Sequence, residues 1–157
     1  MYYVTFENDV FIDPCLDLSY LKEILTEYLE KTDFFQIIVL KEDEENKNFL
    51  EEYSAYNEEN EYEEIFQGQI DEEFSKELLK EFLNEKNIPK FYDLRLYIDD
   101  KIKLEILNYG EEVSLYNFDE EEVQEIYKDL LKKYPIKDIT IAVDTETTSQ
   151  ADTEYLN

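Results

Sequence analysis

Apolar residues recur at helical spacing in three segments of the chain. In the first, residues 18–29, leucine, isoleucine and tyrosine share one face, and glutamates occupy the other. The second begins after Asp71, a favourable N-cap, and ends before Pro89. The third begins at Asp119, has a glutamate three residues later as in a capping box, and ends before Pro135. The pattern predicts three amphipathic helices.

Apolar runs with the alternation or composition of strands flank these three segments. They cover residues 3–6, 35–40, 92–98, 102–109, 113–116 and 138–143, with a weaker candidate at 62–69. Asp99-Asp100 and Asn108–Gly110 consist of turn-forming residues and predict hairpins. The chain is therefore predicted to be an α+β protein in which three amphipathic helices pack on a mainly antiparallel sheet.

The order strand, helix, strand occurs three times along the chain, with helix starts about 50 residues apart. This spacing is compatible with three repeated modules, residues 1–41, 42–100 and 101–144, in an elongated arrangement. It is equally compatible with helices that recur without a repeat. In both cases we expect residues 1–144 to form a single acidic domain. Residues 145–157 lack periodicity, and we expect them to be a disordered tail.

The chain is strongly acidic, with 42 Asp and Glu residues against 15 Lys and Arg and a formal net charge of −27. Such a charge repels nucleic acid and acidic lipid, so neither is expected to bind directly. It attracts proteins whose working surface is basic. Because 43% of the residues are apolar and 15% are aromatic, the chain can form a core and differs from a disordered acidic tail.

The residues that usually carry catalysis or bind metals are scarce. Without histidine there is no Ser/His/Asp or Cys/His arrangement and no imidazole ligand for zinc. The two glycines, Gly68 and Gly110, cannot build a phosphate-binding loop. Carboxylates abound, but no segment has the pattern of a calcium loop, and tryptophan, the usual sugar platform, is missing. We expect no enzyme, no metal site and no cofactor.

The single cysteine and the N-terminal segment bear on the compartment. Cys15 cannot form an internal disulfide, and it is expected to be an inert, packed thiol. The first ten residues lack the basic and apolar regions of a signal peptide, and no segment is as long and apolar as a membrane span. A cytoplasmic protein of a bacterial host cell, without membrane contact, is expected.

The most acidic stretch of the chain is residues 42–64. It is compatible with a solvated loop, or with a short helix held by Phe49, Leu50, Tyr53 and Tyr56, which have helical spacing. Glutamates at positions i and i+4 of a helix lie roughly 6 Å apart, comparable with neighbouring phosphates of a DNA strand. Two rows on the predicted helices could imitate such a track, namely Glu23, Glu27 and Glu30, and Glu73, Glu77 and Glu81. The residues predicted to bind a partner are Glu42, Asp43, Glu44, Glu45, Glu51, Glu52, Tyr53, Tyr56, Glu58, Glu59, Glu61, Tyr62, Glu63, Glu64, Glu73, Glu77 and Glu81.

In size, charge, tyrosine-rich acidic composition and lack of catalytic residues, the chain resembles the DNA-mimic inhibitors of phages and mobile elements. The resemblance implies binding to the basic groove of a DNA- or RNA-binding protein, such as a restriction or CRISPR nuclease. An immunity protein or antitoxin that neutralises a basic nuclease toxin is the alternative. A third interpretation is an acidic protein whose charge serves only solubility. The oligomeric state is left open.

Overall fold

The computed structural model describes residues 1–144, except for the side chain of Glu44. The tail predicted to be disordered, residues 145–157, lies outside the described residues.

Eight strands and four α-helices form this part of the chain. The strands are β1 (Tyr2–Glu7), β2 (Phe34–Leu40), β3 (Tyr56–Glu59), β4 (Glu63–Gln69), β5 (Asp93–Ile98), β6 (Lys101–Leu107), β7 (Glu112–Phe118) and β8 (Ile139–Val143). The helices are α1 (Tyr20–Leu29), α2 (Asn48–Tyr53), α3 (Glu72–Glu81) and α4 (Glu120–Lys133). Two 3-10 segments lie at Lys41–Asn46 and Asn108–Gly110.

All eight strands belong to one sheet, in the order β3-β4-β2-β5-β6-β7-β1-β8. Every pair of neighbouring strands is antiparallel. The predicted α+β class and antiparallel sheet are therefore confirmed. The three predicted helices correspond to α1, α3 and α4, and α2 is a fourth.

The helices α1, α3 and α4 connect strands that are not neighbours. Helix α3 joins β4 to β5, and both strands pair antiparallel with β2, which lies between them. Helix α4 joins β7 to β8 across β1 in the same way. Helix α1 joins β1 to β2, and three strands, β5, β6 and β7, lie between them in the sheet. Strands from the three predicted modules thus interleave in one sheet. The predicted repetition of a module is not confirmed.

The hydrophobic core lies between one face of the sheet and the helices. Residues paired across the strands of this face are buried, as in the row Ile37, Leu94, Ile106 and Val113. Buried residues of α1, α3 and α4 belong to the same apolar cluster. Because paired residues point to the same side of a sheet, the register itself identifies the covered face.

The opposite face of the sheet is more exposed to solvent and carries a row of polar side chains. Gln36, Arg95, Glu105, Ser114 and Thr5 are register neighbours on five consecutive strands. Arg95, the only arginine of the chain, donates through Nε to Glu105 Oε2 at 2.8 Å and through a terminal nitrogen to Gln36 Oε1 at 3.3 Å. The guanidinium is therefore satisfied within the sheet.

Candidate protein-binding surface

The acidic stretch at residues 42–64 folds into four short elements. It comprises most of the first 3-10 segment, then α2, β3 and the start of β4. Leu50 is fully buried, and the Phe49 ring lies 5.7 Å from that of Phe91. Of the two alternatives for this stretch, a short helix is the one that forms, and it ends at Tyr53. Tyr56 belongs to β3 and is 52% exposed. The stretch is thus held to the body of the protein at α2.

Four carboxylates, from α2, α3 and the N-cap of α3, lie near enough to Tyr53 to affect its hydroxyl. The Tyr53 ring meets Phe74 of α3 edge-on, with the ring centroids 6.0 Å apart. Desolvation raises the pKa of the Tyr53 hydroxyl, and the negative charges of Glu52, Glu77, Glu73 and Asp71 raise it further. We call this group, Glu52, Asp71, Glu73 and Glu77 around Tyr53, the α2–α3 acidic surface.

A second set of predicted residues lies on the β3–β4 hairpin. Glu58, Glu61 and Tyr62 are exposed there, Tyr62 by 70%. The side-chain oxygen of Asn60 accepts hydrogen bonds from the backbone N–H groups of Tyr62 and Glu63 at 2.9 and 2.8 Å. The turn is therefore ordered by its own asparagine, and its acidic and aromatic side chains are presented from a defined backbone.

Several predicted carboxylates have partners within the protein. Glu59 pairs with Lys41 at 3.4 Å, and Glu81 pairs with Lys90 at 3.0 Å. Glu51 lies 3.9 Å from Lys47 on the same helical face. These pairs are partly exposed, so each contributes little to stability, and the carboxylates still lie at the surface. Their charge is nevertheless partly neutralised.

Glu64 and Asp43 do not lie free on the surface. Glu64 is 7% exposed, lies 3.3 Å from the Lys47 ammonium, and accepts a hydrogen bond from Asn57 at 3.1 Å. Asp43 accepts a hydrogen bond from the Tyr109 hydroxyl. Burial, this bond and the charge of Asp43 raise the pKa of Tyr109. Both carboxylates hold elements of the fold together.

The remaining predicted residues vary in exposure. Glu42, Glu45, Glu52 and Glu73 are exposed, and Glu63 and Glu77 are half-buried. The side chain of Glu44 lies outside what the structure describes. The structure therefore brings α2 into contact with α3 through Tyr53 and Phe74, and Lys47 joins the start of α2 to Glu64 of the hairpin.

The prediction of a packed thiol at Cys15 is wrong. Cys15 is exposed, in the loop between β1 and α1. Its backbone N–H donates to the Asp13 carboxylate at 2.9 Å. Pro14 and this local turn keep the residue at the surface, away from the sheet. The sequence provides no apolar periodicity in this loop that would predict burial.

Five carboxylates line a groove between α1 and α4, and two of them, Glu23 and Glu27, belong to the row predicted on the first helix. They are Glu23, Glu27, Glu122, Glu125 and Asp129. Their helical positions are evident from the sequence, but the approach of two helices about 100 residues apart depends on the sheet order.

In residues 1–144 no group of three metal-ligating residues is placed to hold a metal ion. No helix in this range is long and apolar enough to cross a membrane.

No protein-family model, curated protein or solved structure matches the chain.

Proposed function

We propose that this chain is an acidic inhibitor that imitates the charge of a nucleic-acid backbone and occupies the basic groove of a DNA- or RNA-binding protein, such as a nuclease. The observation that carries the proposal is the contact of α2 with α3 through Tyr53 and Phe74, with Glu52, Glu73 and Glu77 near enough to affect the Tyr53 hydroxyl. Flexible loops with the same charge would not hold their carboxylates in fixed positions relative to one another. Packed helices present it in one arrangement.

The spacing of these carboxylates suits the proposal. Glu73 and Glu77 are four residues apart on α3, which places their Cα atoms roughly 6 Å apart. Glu52 approaches the same tyrosine from α2. A basic groove that binds successive phosphates would therefore meet several negative charges at similar spacing, and binding would neutralise its lysines and arginines.

The exposed tyrosines provide contacts that charge alone does not. Tyr56 and Tyr62 are 52% and 70% exposed on the β3–β4 hairpin. Large amphipathic rings of this kind are frequent among the residues that dominate binding energy at protein interfaces. Arginine side chains of the partner can also stack on their faces.

The proposal is tested with two charge-matched variants of the full chain. The partner is first isolated by affinity capture from the source cells and identified. One variant carries Glu52→Gln, Glu73→Gln and Glu77→Gln, which removes three charges from the α2–α3 acidic surface. The control carries Glu85→Gln, Glu120→Gln and Glu121→Gln, which removes three charges from exposed positions elsewhere. Affinity for the partner is measured at physiological ionic strength.

We expect the first variant to bind at least about tenfold more weakly, equivalent to about 1.4 kcal/mol. The control should lose less than about twofold, since charges farther away than the Debye length of about 8 Å are screened. Equal losses in the two variants would contradict a shaped surface. Capture of a nuclease toxin whose catalytic site the chain covers would support the immunity-protein role instead.

A further inference from the structure

Strand β8 forms one edge of the sheet. It pairs with β1 on its inner side, and no strand in residues 1–144 pairs with its outer side. The opposite edge, β3, carries Glu58 and Glu59, charged side chains of the kind that keep an edge from pairing with another chain. Strand β8 reads Ile-Thr-Ile-Ala-Val and contains no charged residue. Of the two edges, β8 is therefore the one open to a further strand.

The hydrogen bonds to β1 identify which backbone groups of β8 face outward. The Asp144 N–H donates to the Met1 backbone oxygen at 2.8 Å, in register with the pairing of the two strands. In an antiparallel pair, residues that exchange hydrogen bonds alternate with residues that do not. Counting back from Asp144, the groups of Ala142 and Thr140 face β1. The outward residues, each with an N–H and a C=O on the free edge, are Ile139, Ile141 and Val143.

The side chains beside this free edge are apolar and accessible. The register partners of the outward residues in β1 lie on the covered face of the sheet, so the outward residues do too. Val143 is 58% exposed, and Ile139 and Ile141 are half-buried. Asp129 of α4 faces α1, so Leu131, two residues later and 40% exposed, lies on the opposite flank, toward β8. A strand added to β8 would place its side chains against Val143 and Leu131.

Charge around β8 is balanced, in contrast to the chain as a whole. Residues 127–144 contain four lysines and three aspartates, a net charge of +1 in a chain of −27. These residues are Lys128, Lys132, Lys133 and Lys137, and Asp129, Asp138 and Asp144. All four lysines are exposed. A protein that approaches along β8 therefore meets a nearly neutral surface.

We propose that β8 pairs antiparallel with the β8 of a second copy of this chain, so that one sheet continues through a twofold dimer. A twofold interface uses the same surface of both copies, and here each β8 supplies the donors, acceptors and apolar side chains that the other needs. The balanced charge favours this occupant over a basic segment of another protein, because a nearly neutral surface attracts such a segment only weakly. The inference goes beyond the proposed function and does not depend on it.

The α2–α3 acidic surface lies far from this interface. Helix α2 packs on β4, which is six strand positions from β8, about 29 Å at about 4.8 Å per strand. Repulsion between the acidic surfaces of the two copies is screened over such distances, since the Debye length is about 8 Å. The dimer therefore carries two copies of this surface at opposite ends, and both remain accessible.

Sedimentation velocity of the full chain measures the association. We expect a species of twice the 19.0 kDa of one chain to form as the concentration rises to about 0.2 mM. Association should strengthen as salt increases, because salt screens the repulsion between two chains of −27 each. Binding of a basic partner weakens with salt, so the two proposals respond to salt in opposite directions. A chain that stays monomeric at low and high salt would overturn the inference.

Amide hydrogen exchange locates the interface. The outward N–H groups of Ile139, Ile141 and Val143 should exchange slowly in the dimer and rapidly in the dilute monomer. Those of Thr140 and Ala142 face β1 and serve as internal controls that are protected in both. A dimer in which the outward groups still exchange rapidly would overturn β8 pairing. A monomer in which they exchange slowly would overturn it in favour of residues 145–157 of the same chain.

Two charge-matched variants complete the test. Val143→Lys puts a cation beside the free edge and should raise the dissociation constant of the dimer at least about tenfold. Ile12→Lys makes the same change of charge at an apolar residue that is 81% exposed, in the loop between β1 and α1, and should change the constant less than about twofold. Circular dichroism verifies that both variants fold. Equal effects of the two substitutions would overturn the assignment of the interface to β8.

Discussion

At the scale of single residues, Glu64 differs from the acidic side chains around it. Its carboxylate is nearly buried and is held by Lys47 and Asn57, whereas Glu61 is exposed in the neighbouring turn. We expect Glu64→Gln to lower the free energy of unfolding by about 1–3 kcal/mol, because a buried hydrogen-bonded charge pair is lost. Urea denaturation measures the effect.

Glu61→Gln is the matched control, and it should change the free energy of unfolding by less than about 0.5 kcal/mol. The same substitution thus separates a carboxylate that holds the fold from one available to a partner. If Glu64→Gln were as stable as Glu61→Gln, the Lys47 pair would have no structural role.

The distinction between these glutamates is not evident in the sequence. Neighbouring residues of a strand point to opposite faces, and which face is covered depends on the pairing register. Glu64 pairs across the strands with Val39, a residue of the covered face. Without that register, Glu63 and Glu64 are equivalent. Tyr62, in contrast, lies in the turn before β4 and is exposed to solvent.

At the scale of elements, the helix starts differ in how they are capped. The Asp119 and Asp71 carboxylates each accept a backbone hydrogen bond, from Glu122 and Phe74. Ser19, before α1, has helical dihedral angles and makes no side-chain capping bond. We expect Asp71→Ala and Asp119→Ala each to lower the free energy of unfolding by about 1 kcal/mol, and Ser19→Ala by only a few tenths. Thermal or urea unfolding would show the difference, and equal effects of the three substitutions would contradict it.

The sequence predicts elements well where local signals are strong. Capping residues and apolar periodicity correctly indicate α3 and α4, and Asp99-Asp100 forms the predicted turn, with φ of 50° and 64°. Strand β3 is absent from the sequence prediction. Its four residues are all exposed, so no buried alternation exists, and it forms by pairing with β4. Edge strands of this kind depend on their neighbour rather than on their own composition.

At the scale of the whole molecule, the strand order could not be derived from the sequence. Strand β1 pairs with β7 and β8, more than 100 residues later, and helices alone do not specify such pairings. The α1–α4 groove depends on this order, because it joins helices about 100 residues apart, whereas α2 and α3 are connected through the β3–β4 hairpin. Charge and core residues can therefore be predicted from the sequence, whereas the shape of the acidic surface cannot.

The excess of negative charge should make stability depend on pH and salt. Desolvation raises the pKa of the Asp93 carboxyl, and desolvation together with Glu105, Glu7 and nearby acids raises that of Glu112. A carboxyl whose pKa is higher in the folded state gives stability at low pH that is lost as pH rises through the folded pKa. We expect the free energy of unfolding to rise as the pH falls from 7 toward about 5, because these carboxyls take up protons more readily in the folded state and the repulsion among the remaining charges decreases.

Two carboxylates make the protein less stable as the pH falls, but only below about pH 5. Backbone hydrogen bonds lower the pKa of Asp17 and Asp119, so their contribution is lost only as pH falls below about 3.9, the unfolded value. Added salt at pH 7 should stabilise the chain for the same reason that acid does, by reducing repulsion. Urea denaturation at both pH values tests this, and a steady loss of stability from pH 7 to about pH 5 would contradict it.

Imitation of a nucleic-acid backbone is tested most directly by competition on the partner protein. A fluorescently labelled duplex or single strand is bound to the partner, and its anisotropy is followed as this chain is added at several salt concentrations. We expect complete displacement with no ternary complex, and an affinity that falls steeply as salt increases, as it does for nucleic acid itself. A stable complex of partner, nucleic acid and this chain, with an affinity that does not change with salt, would contradict occupancy of the basic groove.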